Sequence, residues 1–395
     1  MDRPLRIAHC VESYAPALGG MPEVVKQLSE RMVRLGHSVT VYTSSHPDRS
    51  SSDLNGVHVR EFDISGNAVS GMHGDQHAYR EALRQGDHDV VVLFAAQQWA
   101  TDSVLDHLAS IPGRKVFVPT GFSALHAPRW ADYFRRMPGW LAAMDLNIFL
   151  SENYQDVAFA KEHGITRNML IPNGAAADEF EGPPLFDVRR EQGIALDRAL
   201  VLHIGTYTGI KGHREAIELF IRAETGDAVL MFVGNNNTYL RKVYRRHYSY
   251  YFLRWRARLK RKRILFLELD RARTVSALKQ ADLFLFPSNV ECSPIVLFEA
   301  CAAGVPFLSS GAGNSAEIAE WTQGGWIIPG RRDDDHRERP DIAAGARRLE
   351  ALLADPDERR EAGRKGRAAW RERFTWEHIT KRYLHAYLSL LNSDE

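Results

Sequence analysis

Short apolar runs alternate along the chain with longer stretches in which apolar residues recur at helical spacing, which is the pattern of strands followed by amphipathic helices. Strands are predicted at 5–11, 38–43, 57–62, 89–94, 115–118 and 145–150, and then at 200–204, 228–233, 264–267, 282–286, 305–308 and 326–328. Several of them are unbroken apolar runs, which suits strands that are buried on both faces of a parallel sheet. Two such series favour an α/β fold with two doubly wound, Rossmann-like domains.

The break between the two series lies at 181–197, where Gly182, Pro183 and Pro184 interrupt the apolar pattern. We interpret this segment as the linker, with a first domain over 1–182 and a second domain over 183–370. A C-terminal segment, 371–395, contains a predicted amphipathic helix and is a candidate to pack back on the first domain.

Composition excludes several classes of protein. The chain has 395 residues, 44% of them hydrophobic, which suffices for a sizeable core in each of two domains. Its 51 Lys and Arg residues nearly balance its 50 Asp and Glu residues, which argues against a dedicated nucleic-acid binder. Three cysteines without Cys-x-x-Cys spacing give neither a disulfide framework nor a zinc site, and Cys10 and Cys301 are expected to be buried.

No targeting segment is predicted. Residues 1–6 are charged and lead directly into the first strand, without the apolar region of a signal peptide. No apolar run reaches the roughly 18 residues of a membrane-spanning helix. A cytoplasmic location is therefore expected.

Two glutamates stand out in the stretch 286–304. Ser293 suits the cap of a helix and Pro294 suits its first position, directly after a predicted strand. Glu291 then lies in the loop at the carboxyl end of that strand, and Glu299 lies in the second helical turn. Because helical side chains lean towards the N-terminus, Glu299 is expected to point back to the same edge of the sheet.

This arrangement predicts a site for a phosphorylated sugar. Backbone amides at a helix start favour phosphate, and carboxylates accept hydrogen bonds from the hydroxyls of ribose and hexose. Ile295 and Val296 would line the same helix start. The alternative is that both glutamates are ordinary surface residues.

The stretch from Glu291 to Glu299 resembles the retaining GT-B glycosyltransferases of family 4, whose signature is two glutamates separated by seven residues. The runs at 300–306 and 313–318 are also similar to that family, and weaker similarity extends over 14–20, 34–41, 171–174 and 205–212. The resemblance implies a GT-B fold, in which two Rossmann-like domains face a central cleft, and a hexosyltransferase activity.

The resemblance also implies roles for individual residues. Glu299 would bind the nucleotide ribose, Glu291 would contact the donor hexose, and Lys211 would neutralise the diphosphate. The other donor-binding positions are Gly20, Gly205, Thr206, Pro294, Ile295 and Val296.

The donor would be a UDP- or GDP-linked sugar, and the acceptor would be a glycan or a lipid-linked sugar. No metal and no further cofactor is expected, because a fixed cation and helix-start amides can stabilise the leaving diphosphate. Retention of configuration in this family points to a front-face ion-pair route, so we name no protein nucleophile.

Two positions depart from the family pattern. Thr206 follows Gly205 where the family usually has an arginine. Part of the diphosphate charge would then be met by His213 or Arg214, or the diphosphate would be held less tightly. Thr120 stands where many members have a histidine near the donor sugar. His126, a few residues later, is a candidate to take that catalytic position, and the alternative is that it is a polar loop residue.

A basic aromatic segment occupies 240–263. The stretch 241–263, both ends included, has eleven Lys and Arg residues and no acidic residue, and aromatic residues recur in it at helical spacing. This pattern is typical of a helix on an anionic membrane surface, which would suit a lipid-linked acceptor. The alternative is a stripe packed in a core beneath a solvated cationic face, and nucleic acid is the least favoured partner.

Three functions remain open from the sequence. The first is an active retaining glycosyltransferase. The second is a catalytically silent subunit that binds sugar nucleotides and supports a partner enzyme, which Thr206 and Thr120 would favour. The third is another GT-B enzyme, such as a sugar-nucleotide epimerase or a phosphorylase, which fits the glutamate pair less well.

Overall fold

The computed structural model describes residues 3–235, 255, 259 and 262–392. The prediction for 240–263 therefore lies almost entirely outside the described residues. The chain forms two compact units, of which the first comprises Met1–Asn173 with Trp376–Glu395 and the second comprises Gly174–Thr375.

The first unit begins with a long series of strands and helices. The strands are β1 (Arg6–Cys10), β2 (Ser38–Ser44), β3 (Asp53–Leu54), β4 (Val57–Phe62), β5 (Ser65–Asn67), β6 (Gly71–His73), β7 (Val90–Phe94), β8 (Arg114–Val118), β9 (Leu146–Phe149) and β10 (Asn168–Leu170). The helices are α1 (Gly20–Arg34), α2 (Gln76–Arg84), α3 (Trp99–Asp102), α4 (Ala131–Ala143) and α5 (Gln155–Glu162), with 3-10 turns at Leu105–Ser110 and Pro128–Trp130.

The second unit repeats the same alternation. Its described strands are β11 (Leu200–Ile204), β12 (Val229–Val233), β13 (Arg263–Leu267), β14 (Leu283–Phe286), β15 (Phe307–Ser309), β16 (Gly325–Ile327), β17 (Gly330–Arg332) and β18 (Glu338–Pro340). Its described helices are α6 (Ala177–Phe180), α7 (Val188–Glu191), α8 (His213–Arg222), α9 (Arg271–Lys279), α10 (Ile295–Ala303), α11 (Ser315–Thr322), α12 (Ile342–Ala354) and α13 (Pro356–Ala369), followed by a π-helical turn at Trp370–Phe374. The last helix, α14 (Trp376–Asn392), belongs to the first unit.

Each unit is built on one large sheet with a switch point. The first sheet has the order β10-β9-β8-β7-β1-β2-β4-β3 and is parallel except for β3. The second has the order β13-β12-β11-β14-β15-β16 and is parallel throughout. In the first sheet the strand order reverses between the central neighbours β1 and β7, and in the second sheet it reverses between β11 and β14. Ligands of doubly wound sheets bind at the carboxyl ends of such strands.

The predicted strands are confirmed, because each of them overlaps an observed strand. Strand β11 illustrates the reason. Leu200 and Leu202 pack into one apolar core of the second unit, whereas Val201 packs into a core on the opposite face. Successive side chains of a strand point to opposite faces, so a strand between two cores must be apolar at every position. Cys10 and Cys301 are buried as expected.

The observed units differ from the predicted domain limits, because the chain enters the second unit after Asn173 rather than after residue 182. The backbone amide of Ala175 donates to Phe374 O at 3.0 Å, and the indole Nε1 of Trp370 donates to Ala175 O at 3.1 Å. Phe180 is buried in the core of the second unit. These contacts fasten 174–182 to the second unit before the glycine and prolines are reached.

The segment 181–197, interpreted above as a linker, is packed on the second unit as well. Val188 is fully buried, and the guanidinium of Arg189 contacts the carboxylate of Asp282 at 2.6 Å. The interruption of the apolar pattern marks an irregular connection rather than a boundary.

The C-terminal helix α14 packs on α1 of the first unit. Its residues Ile379, Tyr383 and Tyr387 are buried, and Glu377 at its start accepts a hydrogen bond from Arg31 Nε at 2.8 Å. The boundary of this returning segment lies after Thr375, because the π-helical turn before it contributes Trp370 and Phe374 to the second unit's core.

Replacing two helical glycines by alanine should change the free energy of unfolding in opposite directions. A Cβ at Gly363 of α13 would lie 2.2 Å from Gly304 O, at the end of α10, so the two helices would have to separate. We expect Gly363→Ala to lower the free energy of unfolding by about 1–3 kcal/mol. A Cβ at Gly139 of α4 meets no atom within 4 Å, and Gly139→Ala should raise it by about 0.5–1 kcal/mol. Urea denaturation measures both, and a neutral Gly363→Ala would contradict the close packing.

Candidate functional site

The centre of the candidate site is an ion pair at the switch point of the second sheet. Lys211 Nζ lies 2.7 Å from Glu291 Oε1, which also accepts a hydrogen bond from Ser288 Oγ at 2.7 Å. Lys211 follows β11 and Glu291 follows β14, and these strands are neighbours. The structure therefore brings together two predicted catalytic residues that are 80 positions apart in the chain.

The loop that carries Lys211 is held by close backbone contacts. Gly212 has a φ of 72°, and a Cβ there would lie 2.0 Å from Pro287 O. The amide of Asn289 donates to Ile210 O at 2.9 Å, and Ser288 Oγ, whose proton is donated to Glu291, lies 3.2 Å from the same oxygen. Only glycine allows this approach, which sets the lysine beside the loop that follows β14.

Helix α10 begins one residue later than predicted, with Pro294 at the cap and Ile295 as the first helical residue. Glu299 lies in its second turn, as expected, and its side chain is 5% exposed. Val296 and Ile295 are partly exposed in the first turn. Glu299 Oε1 accepts a hydrogen bond from Arg271 Nη2 at 2.6 Å, so this carboxylate is also paired with a cation.

Thr206 and Gly205 lie in the connection between β11 and Lys211. A Cβ at Gly205 would lie 3.2 Å from Lys211 Cβ, so a larger side chain would press on the lysine stem. Thr206 is partly exposed, and its carbonyl accepts from the amide of Thr208 at 2.7 Å. The departure at Thr206 thus lies on the same loop as Lys211.

The expectation that His213 supplies the charge missing at Thr206 is wrong. His213 is buried, with its ring centroid 4.6 Å from that of His203 and 5.0 Å from that of Tyr207. Burial lowers the pKa of His213 to about 4, and burial lowers the pKa of His203 well below its ordinary value. Both imidazoles are neutral at pH 7. Arg214 is exposed and its Nε donates to Glu218 Oε1 at 2.8 Å.

The remaining predicted residues, Gly20 and His126, belong to the first unit. Gly20 opens α1, and His126 is exposed in a turn that follows β8. Thr120, in the same connection, has a φ of 60°, and Gln97 after the neighbouring β7 has a φ of 66°. Backbone of this kind in non-glycine residues costs energy and clusters at functional sites.

Comparison with known proteins defines the family. Residues 18–179 match the sequence model of Glycosyltransferase Family 4, and residues 186–369 match that of Glycosyl transferases group 1. The chain belongs to glycosyltransferase family 4. It is a transferase with the GT-B fold, as the sequence predicted.

Known relatives of this glycosyltransferase align over nearly the whole chain. N-acetyl-alpha-D-glucosaminyl L-malate synthase of Bacillus anthracis is 22% identical, with 96% of each chain covered. GDP-mannose:cellobiosyl-diphosphopolyprenol alpha-mannosyltransferase of Xanthomonas campestris is 25% identical, with 98% of each chain covered. The crystal structure of Anabaena Alr3699/HepE in complex with UDP-glucose has a TM-score of 0.73 at 15% identity and covers 98% of this chain and 100% of its own.

Sequence reasoning missed a carboxylate of the glycosyltransferase at the other switch point. Glu12 follows β1 and is partly buried, and burial together with the nearby Asp102 raises its pKa. Asp102 is buried and accepts hydrogen bonds from Tyr133 Oη at 2.7 Å and from the amide of Ala68 at 3.0 Å. The position of Glu12 in the loop at the carboxyl end of a central strand is the signal that could have found it.

Arg271 was also missed. It is the first residue of α9, and its partners Glu299 and Glu179 lie 28 and 92 positions away in the chain. No local pattern in the sequence indicates such contacts.

Three stretches of the glycosyltransferase satisfy the Asp-x-Asp pattern, at 87–89, 333–335 and 355–357. Asp89 pairs with Arg6, and Asp355 caps α13. The remaining stretch, Asp333–Asp335, lies in the turn of the β17–β18 hairpin. Asp333 accepts from Arg339 Nε at 2.7 Å and from the amides of Arg337 at 2.9 Å and Asp335 at 3.0 Å. These bonds lower the pKa of Asp333, the amide of Arg337 most. The run therefore shapes a turn. Within 3–235 and 262–392, no group of three or more His, Cys, Asp or Glu side chains is arranged to hold a metal ion.

Little of the basic aromatic segment is described. Lys262, at its end, is buried, and its Nζ donates to Phe220 O and Ala223 O, so this lysine is not part of a solvated cationic face. Trp255 and Leu259 are exposed. Among the helices that the structure describes, none is both long and apolar enough to cross a membrane.

The buried histidine beneath the Lys211 loop should make stability depend on pH. The pKa of His213 is about 4 when folded against an ordinary 6.5, so the unfolded chain takes up a proton first as the pH falls. Stability is unaffected above about pH 6.5 and decreases towards about pH 4, with a loss of about 2 kcal/mol at pH 5 from this group. We expect His213→Phe, which keeps the aromatic packing, to lose less stability between about pH 7 and about pH 5 than the wild type. Equal losses in urea denaturation would contradict the neutral imidazole.

Proposed function

We propose that this glycosyltransferase moves a hexosyl unit from a nucleotide-diphosphate sugar to a glycan or lipid-linked acceptor, with retention at the anomeric carbon and without a metal ion. The observation that carries the proposal is the Lys211–Glu291 ion pair, at 2.7 Å, at the switch point of the second sheet. Both side chains lie where a doubly wound sheet binds its ligand.

The chemistry of the proposed reaction matches these groups. The bond between the anomeric carbon and the diphosphate oxygen breaks, which builds negative charge on the diphosphate and positive charge on the sugar ring. The ammonium of Lys211 and the free amides at the start of α10 stabilise the first charge, and the Glu291 carboxylate stabilises the second and binds a hexose hydroxyl. One preorganised group of this kind contributes roughly 3 kcal/mol to the transition state.

Retention follows in this proposal from a front-face route. The acceptor hydroxyl attacks the anomeric carbon from the side that the diphosphate leaves, and its proton passes to the departing diphosphate oxygen. No protein nucleophile is required. In the first unit, His126, Gly20 and the strained connections after β7 and β8 are the candidates to contact the donor sugar and the acceptor.

Relatives support the class of donor. The Xanthomonas campestris relative carries GDP-mannose in its name, and the Anabaena structure contains UDP-glucose. A buried carboxylate at Glu299 suits a ribose hydroxyl of either nucleotide. Metal independence is supported by Lys211, since a fixed cation beside helix-start amides supplies the charge that a metal would otherwise provide.

Substitutions at the ion pair test the donor assignment. With purified protein and a panel of UDP- and GDP-sugars, we expect slow donor hydrolysis in EDTA, and Glu291→Gln and Lys211→Met should each lower kcat/KM by roughly a hundred- to a thousandfold. The matched control is Glu320→Gln, which changes an exposed glutamate on α11 of the same unit. NMR of the product anomer tests retention.

Three results would contradict the proposal. The first is turnover that stops when EDTA removes metal, the second is an inverted product, and the third is an unchanged rate in both ion-pair variants. Tight nucleotide binding without turnover would instead favour the silent subunit.

A lipid-linked acceptor at the inner face of a membrane is the second part of the proposal. Its support is the charge segregation of 240–263 and the diphosphopolyprenol acceptor in the name of the Xanthomonas campestris relative. Each Lys or Arg near an anionic leaflet contributes about 1 kcal/mol of attraction.

Vesicle flotation tests the membrane surface. We expect the protein to float with vesicles that contain phosphatidylglycerol and not with phosphatidylcholine alone, because the attraction is electrostatic. Replacing the four basic residues of 241–246 by glutamine should abolish flotation, whereas replacing the exposed Arg135 and Arg136 of α4 should not. Those four residues are Arg241, Lys242, Arg245 and Arg246. Equal, negligible flotation with both kinds of vesicle would exclude the membrane.

A further inference from the structure

A second cation lies at the carboxyl edge of the second sheet, where the proposed donor binds; we call this the donor edge. It lies on α9, a helix to which the proposed reaction assigns no role. Arg271 is the first residue of α9, and its Nη2 donates to Glu299 Oε1 at 2.6 Å. The same guanidinium donates to Glu179, from Nε to Oε1 at 2.9 Å and from Nη2 to Oε2 at 2.5 Å. Arg271 thus joins Glu299 of α10 to Glu179 of α6.

Hydrogen bonds to Glu179 fix the position of the Arg271 guanidinium. Two parallel hydrogen bonds to one carboxylate define the plane and direction of an arginine, which a lysine could not reproduce. Arg271 also lies over the ring of Phe180, with its Cζ 5.8 Å from the ring centroid. Glu179 and Phe180 are both on α6, so this short helix sets the position from which Arg271 reaches Glu299.

The Glu299 carboxylate is stabilised in its ionised form by its pairing with Arg271. Only 5% of the Glu299 side chain is exposed, against 41% of Arg271. A buried carboxylate without a cation would be costly to ionise, and a protonated carboxyl group is a weaker acceptor for a hydroxyl. An ionised and oriented Glu299 therefore depends on Arg271.

We propose that Arg271 is the positioning residue for the ribose end of the donor site: it keeps Glu299 ionised and turned so that its carboxylate accepts the ribose hydroxyls. The inference rests on the proposed function, in which Glu299 binds ribose. Arg271 orients the Glu299 carboxylate, and its two hydrogen bonds to Glu179 hold the guanidinium in place.

Preference for ribose over deoxyribose tests this role directly. We would measure the binding of UDP and GDP and of their 2′-deoxy forms by calorimetry, with the full-length protein. The wild type should prefer the ribonucleotide that it binds by about tenfold or more, the value of a hydrogen bond to a charged group. Arg271→Met should reduce this preference to about twofold or less, and Arg271→Lys should restore part of it.

The chain offers a matched control on the same helix. Arg273 bonds to Asp270 at 2.8 Å and lies 3.5 Å from Glu191, and its side chain is 38% exposed, close to the value for Arg271. Arg273→Met should therefore keep the wild-type preference for ribose.

The outcomes separate the two claims. If the wild type prefers ribose and a folded Arg271→Met keeps that preference, the positioning role is overturned while the proposed donor site stands. If the wild type binds neither ribonucleotide, or binds ribo and deoxy forms equally, the donor assignment fails and the inference fails with it. Should Arg271→Met not fold, Glu179→Gln removes the bidentate anchor instead. It should lower the ribose preference, and an unchanged preference would again overturn the role.

Discussion

The ion pair between Lys211 and Glu291 connects the loops that follow β11 and β14. These two strands are parallel neighbours in the second sheet, so both loops lie at its carboxyl edge. The 2.7 Å contact of the ion pair requires β11 beside β14, a left-handed glycine at Gly212 and the hydrogen bond from Ser288 to the same carboxylate oxygen. The placement of the two loops side by side depends on the parallel pairing of β11 and β14, since the carboxyl ends of parallel strands meet at one edge of a sheet. The fold of this family 4 glycosyltransferase therefore creates the charge arrangement before any ligand is present.

The donor edge carries two carboxylates, each paired with a cation from another element. Glu291 pairs with Lys211 and Glu299 pairs with Arg271, and neither glutamate is more than 8% exposed at its side chain. Pairing with a cation offsets the free-energy cost of burying each carboxylate and fixes the direction in which that carboxylate accepts hydrogen bonds. In the proposed reaction the diphosphate competes with Glu291 for Lys211, which frees that carboxylate for the hexose. Thr206 provides no charge for this step, and the neutral His213 does not replace it.

Much of the fold could be predicted because strands between two cores must be apolar throughout. The same reasoning failed for β10 and for the antiparallel pairs β5–β6 and β17–β18, because these strands are short, largely polar and at least partly exposed. The predicted boundary at residue 182 followed Gly182 and its neighbouring prolines. The actual transition after Asn173 depends on tertiary bonds to Phe374 and Trp370, which lie about 200 positions later and leave no local pattern.

The candidate site divides in the same way. Glu291 and Glu299 could be predicted because they follow a buried strand within a motif of fixed spacing. Lys211 could be predicted because it lies one short loop after a buried strand and matches the family's pattern. The contact of Arg271 with Glu299 and the burial of His213 arise from packing between distant segments, so the sequence alone indicated neither.

A crystal structure with an intact nucleotide-diphosphate sugar, first UDP-linked and then GDP-linked, tests the central claim most directly. The account predicts that the diphosphate lies at the start of α10 with Lys211 Nζ turned from Glu291 to a phosphate oxygen. Glu291 should then bind a hexose hydroxyl, and Glu299 should bind the ribose while still bonded to Arg271. A diphosphate bound elsewhere, with the Lys211–Glu291 pair intact, would contradict it.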